Sequence, residues 1–105
     1  MAIEPFHIHV SDEILDDLSN RLHHVRWPDQ PENTGWERGT EIKDLQTLIS
    51  YWRDQYDWRT QEAKLNRFSQ FRCPIDGIDI HFVHERGKGP NPLPLILTQD
   101  RKSVV

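Results

Sequence analysis

Hydrophobic positions change their period along this chain, and the changes divide it. From Pro5 to Val10 apolar and polar residues alternate, with Phe6, Ile8 and Val10 on one side and His7 and His9 on the other. A period of two predicts a short extended segment suited to a sheet edge. Ser11 then stands where a helix N-cap belongs, with Asp12 and Glu13 behind it, where acids complement the helix dipole. Ile14, Leu15, Leu18 and Leu22 follow at helical spacing. Trp27-Pro28 is expected to end this first helix, because proline disfavours the α conformation of the residue before it. The prolines and glycines of 28–39, with Asn33 and Thr34, predict a loop in which Trp36 anchors onto the body of the protein.

Thr40 is the expected N-cap of a second helix over 41–55, whose stripe runs Ile42, Leu45, Leu48, Ile49, Trp52 and Tyr56. This stripe is expected to be the best-packed part of the chain, in which case Leu48→Ala costs about 2–5 kcal/mol. Asp57 is placed to cap a third helix reaching Asn66, with Trp58, Ala63 and Leu65 facing inward. The period then returns to two. Phe71–Ile75 and Ile78–His84 flank Asp76-Gly77, a dipeptide that supplies the positive φ angles of a type I′ hairpin turn. Ile78, Ile80 and Phe82 are expected to face a core. After the loop of 86–92, the run Leu93, Leu95, Ile96 and Leu97 suits a further strand covered on both faces. The fold class predicted is α+β: a three-helix meander, then a β-hairpin and one further strand.

Composition narrows the class of protein. The chain has 105 residues, room for one small domain. Lys and Arg number 13 against 17 Asp and Glu, a net charge of -4, which disfavours nucleic acid as a partner. Only 35% of residues are hydrophobic, so the chain is core-poor and is expected to lean on another surface. The single cysteine, Cys73, allows no disulfide within the chain. With no run of about 18 apolar residues and no basic, apolar start, the chain reads as a soluble cytoplasmic protein without a membrane anchor.

Several residue groups invite a chemical reading, and each has a plainer one. The six histidines include His7 and His9, the adjacent His23 and His24, and His81 and His84 on opposite faces of a strand. None of these spacings matches a zinc pattern, and surface histidines account for them better. Asp12, Glu13, Asp16 and Asp17 fall on the solvated face of the first helix, where no cleft converges on them. Cys73 lacks an activating neighbour and reads as a structural thiol. Gly87-Lys88-Gly89-Pro90 lacks the spacing of a phosphate loop. Trp27, Trp36, Trp52 and Trp58 read as packing anchors rather than a ligand platform. No catalytic, cofactor-binding or metal-binding residue is predicted, and no cofactor.

Taken in order, these pieces resemble the N-terminal region of the microsomal-type epoxide hydrolases, enzymes of the α/β-hydrolase superfamily. Pro5-Phe6-His7-Ile8-His9-Val10, Asp12-Glu13 and Leu15-Asp16-Asp17-Leu18 resemble the family's lead-in and first helix, and Arg26-Trp27-Pro28 its helix stop. Trp36-Glu37-Arg38-Gly39, Leu45, Leu48, Tyr51-Trp52-Arg53 and Tyr56-Asp57-Trp58-Arg59 are similar to its central run. Glu62, Leu65-Asn66, Phe68 and Gln70-Phe71 continue it, and Asp76-Gly77 with Ile80-His81-Phe82-Val83-His84 resembles its first hairpin.

The resemblance implies a meander that wraps an α/β domain. The strand resembling Leu93–Thr98 leads, in that family, into an HGWPG motif that shapes the oxyanion side of the site. A later Asp acts as nucleophile with a His–acid pair, and two lid tyrosines polarise the epoxide oxygen. The reaction implied is epoxide plus water to vicinal diol, through an Asp-ester intermediate. Here Thr98 is followed by Gln99-Asp100-Arg101-Lys102-Ser103-Val104-Val105 in place of HGWPG. No functional residue of the family therefore maps onto this chain.

Residues 1–98 are accordingly expected to form an epoxide-hydrolase N-terminal-type domain, with a helical meander over 1–68 and the first sheet strands over 70–98. Residues 99–105 are expected to be a divergent tail. The expected role is an N-terminal domain or truncated fragment of an epoxide hydrolase, inactive alone, whose partner is the remainder of an α/β-hydrolase domain or a second copy. The alternative is a non-catalytic interaction or dimerisation module docking on a separately encoded hydrolase domain. A free-standing small enzyme would need a nucleophile and base that the residues do not offer.

Overall fold

A computed structural model describes residues 2–98. The elements in chain order are β1 (Glu4–Pro5), α1 (Asp12–His23), α2 (Ile42–Asp54), α3 (Trp58–Leu65), β2 (Gln70–Ile75) and β3 (Ile78–Val83). They group into a helical unit, His7–Arg67, and a sheet unit formed by 2–6 together with 68–98. The α+β class and the three helices agree with the sequence reading.

The helix starts follow local chemistry. Ser11 has extended backbone, and its hydroxyl accepts the Ile14 N–H at 3.4 Å. Asp57 caps α3 by accepting from the Thr60 N–H at 3.3 Å and the Thr60 hydroxyl at 2.6 Å. The second helix departs from expectation at its start: Glu41, not Thr40, is the N-cap residue, and its side chain makes no capping bond. Gln30, from the preceding loop, supplies the acceptor instead and takes the Ile42 N–H at 2.8 Å. An orphan helix donor accepts any well-placed oxygen, and this one comes from 12 residues away.

The end of α1 also departs. The helix stops at His23, before Trp27-Pro28 is reached. The rings of His23 and His24 turn back, their Nδ1 atoms donating to the carbonyls of Ser19 and Asn20 at 2.7 and 2.8 Å. Those bonds give two carbonyls of the last turns a second donor, while the His24 N–H donates to the Asn20 and Arg21 carbonyls at 3.2 Å. Trp36 is not buried on the body of the protein: it is 60% exposed and tethered by its indole N–H to Asp44 at 2.8 Å.

The apolar stripe of α2 is not the best-packed region. No residue of α2 is buried, and Leu48 is 59% exposed. Ala63 is exposed and Leu65 largely so, while Trp58 is half-buried. Among the described residues the buried apolar side chains are Leu22 and Cys73. Three short helices cannot enclose each other, so their stripes line an open surface.

In the sheet unit the strand order is β1-β2-β3, antiparallel throughout. The hairpin forms as expected, with Asp76 at φ 50° and Gly77 at φ 81°. Its register places Phe71 opposite Phe82, Cys73 opposite Ile80 and Ile75 opposite Ile78 on one face. The two phenylalanine rings stack with centroids 5.7 Å apart. The other face carries Arg72 opposite His81 and Pro74 opposite Asp79. Phe6 lies edge-on to the His81 ring at 5.0 Å and beneath the Arg72 guanidinium at 5.2 Å. Ile78, Ile80 and Phe82 do share a face, but no core encloses it: Ile78 is 64% exposed.

The third strand comes from the other end of the chain. Extended pairing was expected over Pro5–Val10, and it is found at Glu4–Pro5, against Arg72 and Phe71. The run Leu93–Leu97, expected as a further strand, forms none, and Leu93 is 91% exposed. A strand needs a hydrogen-bonding neighbour, and that run pairs with none of the strands of this sheet. The expected divergent tail, 99–105, lies outside the described residues.

The burial pattern reverses the expected order of mutational costs within the helical unit. Leu22→Ala should cost about 2–3 kcal/mol, as for a buried leucine. Leu48→Ala should cost less than about 0.5 kcal/mol, as for a surface change. Urea denaturation of both variants checks this, and a larger loss at Leu48 would contradict the packing described.

Candidate functional site

The helical unit is organised around one carboxylate. Glu62, on the second turn of α3, is 7% exposed. Its Oε2 accepts the Val10 backbone N–H at 2.8 Å and the Trp58 indole N–H at 3.1 Å. Its Oε1 accepts from Arg59 Nη1 at 2.8 Å. Arg59 reaches on through Nη2 to Asp12, in the first turn of α1. One turn later on α3, Asn66 acts as a short stand-in for a β-strand. Its Oδ1 accepts the Ile8 N–H and its Nδ2 donates to the Ile8 carbonyl, both at 2.8 Å. Nδ2 also lies 3.2 Å from His7 Nε2. The extended lead-in is thus held by side chains where it has no strand partner.

These contacts explain the electrostatics. The Val10 N–H, then Arg59 and Trp58, hold the Glu62 carboxyl below its ordinary range against the opposing effect of burial. Thr60 lowers Asp57 through its hydroxyl and N–H. Asp12 and Glu62 raise Arg59. Each group is held in its charged form, the condition of a structural ion network rather than of an acid or base poised near neutrality.

Beside this network, between α1, α2 and the start of α3, lies an apolar groove of about 580 Å³. Val10, Ile14, Leu15 and Leu18 form one wall, and Leu48, Tyr51, Trp52, Tyr56 and Trp58 the other. The stripe that was expected to fill a core therefore lines an open trough. Its lining is almost wholly apolar, with no cluster of convergent polar groups for chemistry.

The residues weighed in the sequence do not converge. His81 Nε2 is 2.9 Å from Gln70 Oε1, and His84 packs near the Phe71 ring in the sheet unit. His7 meets an amide, and His23 and His24 meet backbone carbonyls. Among the described residues no group of three His, Cys, Asp or Glu side chains could hold a metal ion. Cys73 is buried in β2. Asp16 and Asp17 are exposed, and Asp17 pairs with Arg21 at 2.8 Å on the helix surface. The role of Glu62 was not legible in advance, because a lone Glu on a short helix gives no sign of a donor 52 residues away.

Comparison with known proteins gives a consistent result. Residues 3–100 match the family model described as "Epoxide hydrolase N terminus". A putative epoxide hydrolase of Stigmatella aurantiaca is 47% identical over 97 residues, which is 92% of this chain and 22% of that protein. Epoxide hydrolase 1 of Oryctolagus cuniculus is 35% identical over 101 residues, again 22% of its length. The crystal structure of juvenile hormone epoxide hydrolase from Bombyx mori superposes with a TM-score of 0.77 at 30% identity, over 85% of this chain and 21% of that one. The chain spans about a fifth of the length of the curated relatives it matches.

The lowered Glu62 value has a definite consequence for acid stability. A group whose folded-state pKa lies below its ordinary value contributes fully above the ordinary range, and the contribution disappears as pH falls through the folded value. The helical unit should therefore lose stability below the ordinary glutamate range. Glu62→Gln should be less stable than the parent at neutral pH and should flatten this acid dependence. Urea midpoints at pH 7 and in stepwise acid test it; an unchanged acid slope in the variant would remove Glu62 from the account.

Proposed function

We propose, for a chain that belongs to the epoxide hydrolase N-terminus family, that it is the wrapping segment of an epoxide hydrolase and not a catalyst in its own right. Its role is to cover and position the remaining hydrolase domain, which in this family would carry the conversion of an epoxide and water to a vicinal diol. The observation that carries this reading is the open apolar groove between Ile14, Leu18, Leu48 and Trp52. A surface of that kind costs solubility unless something apolar covers it. The exposed run Leu93–Leu97 supports the same reading, since it lacks the neighbouring strands that would cover it.

The described residues support a non-catalytic role in a second way. Ring opening needs a placed nucleophile with a base, and donors aimed at the developing oxyanion. The histidine ring nitrogens with partners here meet amides and carbonyls, and the buried carboxylate is already engaged by three donors. No helix of the described residues is long and apolar enough to cross a membrane.

Separate expression tests the proposal. The chain alone should form no diol from styrene oxide above buffer. Added to a hydrolase body lacking its own N-terminal segment, prepared from the Stigmatella aurantiaca relative, it should raise that body's activity or thermal stability. Trp52→Asp and Leu48→Asp in the groove should weaken the effect. A body indifferent to the chain would count against docking. Turnover by the chain alone that survives repurification and vanishes in His81→Ala would make it an enzyme.

A further inference from the structure

We propose that residues 7–10 of the lead-in form a strap that opens and closes against α3 as a unit of its own. Asn66 and Glu62 are its latch, and Val10 is the residue by which the strap completes the wall of the apolar groove. The inference concerns the helical unit alone and holds whether or not the groove docks on a hydrolase body.

The kind of bond that holds these residues sets them apart. Just before them, the Phe6 N–H donates to the Gln70 carbonyl at 2.8 Å, and just after them the Ser11 carbonyl accepts the Leu15 N–H at 3.2 Å. Between these points no backbone–backbone hydrogen bond reaches residues 7–10 among the described residues. Their backbone is held by side chains: the Ile8 N–H and carbonyl by the Asn66 amide, and the Val10 N–H by Glu62 Oε2, each at 2.8 Å. The His7 ring meets the same Asn66 Nδ2 at 3.2 Å. Ile8 and Val10 are half-buried, and His7 and His9 are exposed. A segment with few directed bonds and little buried apolar surface opens at a lower free energy than the helices beside it.

The latch stays in place when the strap leaves. Glu62 keeps the Trp58 indole and the Arg59 guanidinium, so its carboxylate is not left buried and unpaired. Arg59 still grips Asp12, which fixes the start of α1 beyond the strap. Asn66 is half-buried, and its amide can exchange Ile8 for water. Opening therefore breaks the strap's own bonds and leaves the α3 network standing. Val10 extends the movement to the groove, whose wall it shares with Ile14, Leu15 and Trp58. With the strap open the wall lacks Val10, so any occupant that rests on Val10 favours the closed strap to the same extent that closure favours the occupant.

Amide hydrogen exchange by NMR on the 105-residue chain, across low urea concentrations, tests the strap. The Ile8 and Val10 amides should be protected, but roughly tenfold or more less than the amide of Leu22 in α1, and with a smaller urea dependence. Asn66 bonds only to the Ile8 end of the backbone, so Asn66→Ala separates a unit from independent bonds. It should speed exchange at Val10 as well as Ile8, by roughly tenfold, with Leu22 unchanged. Val10→Thr puts a hydroxyl in the apolar wall and should speed exchange at Ile8 by roughly threefold, although Ile8 keeps both bonds to Asn66. Acceleration confined to Ile8 in Asn66→Ala would overturn the inference, as would protection at Ile8 and Val10 equal to that of Leu22. An Ile8 amide indifferent to Val10→Thr would show that the Val10 side chain does not hold the strap to the groove, and would overturn that part.

Discussion

Glu62 takes up a backbone N–H from the lead-in, an indole from its own first turn and a guanidinium that also grips α1. A small unit with little apolar burial must get its definition from directed bonds, and this carboxylate directs several of them. It joins an extended segment that lacks a strand partner to a helix eight residues long. Asn66 repeats the device one turn further on, with both ends of one amide on the backbone of Ile8. Polar networks of this kind specify one arrangement strongly when complete, and in the helical unit no buried side-chain polar atom of the described residues lacks a partner.

That economy leaves the apolar residues free for other surfaces. Leu48, Tyr51, Trp52 and Tyr56 have the spacing of a core stripe, yet they line a groove. Leu93–Leu97 has the composition of a buried strand, yet it is exposed. In a chain covering about a fifth of its epoxide hydrolase relatives, both features fit a segment whose apolar partners are supplied by other residues.

Much of the secondary structure was legible because it depends on neighbours in sequence. Ser11 and Asp57 cap helices, and Asp76-Gly77 turns a hairpin, through atoms within a few residues of each other. The resemblance to epoxide hydrolases was legible for a similar reason, being carried by a series of short segments in fixed order along 3–100. Where the sequence reading failed, the deciding partner was distant or missing. Gln30, 12 residues before Ile42, supplies the acceptor that Thr40 was expected to give at the start of α2, and Leu93–Leu97 has no strand beside it.

The sequence by itself determined the three helices, the hairpin and its turn, and the family to which the order of motifs belongs. It could not determine burial. Periodicity states which side chains share a face, and a face becomes a core only if another surface covers it. Only the tertiary structure decided that the α2 stripe lies open and that the third strand is Glu4–Pro5 rather than Leu93–Leu97. It likewise decided that Glu62, read in the sequence only as part of the family's run of motifs, ties the lead-in to α3. Covering a face and completing a hydrogen bond both depend on groups brought together from far apart in the chain, and no local pattern encodes that distance.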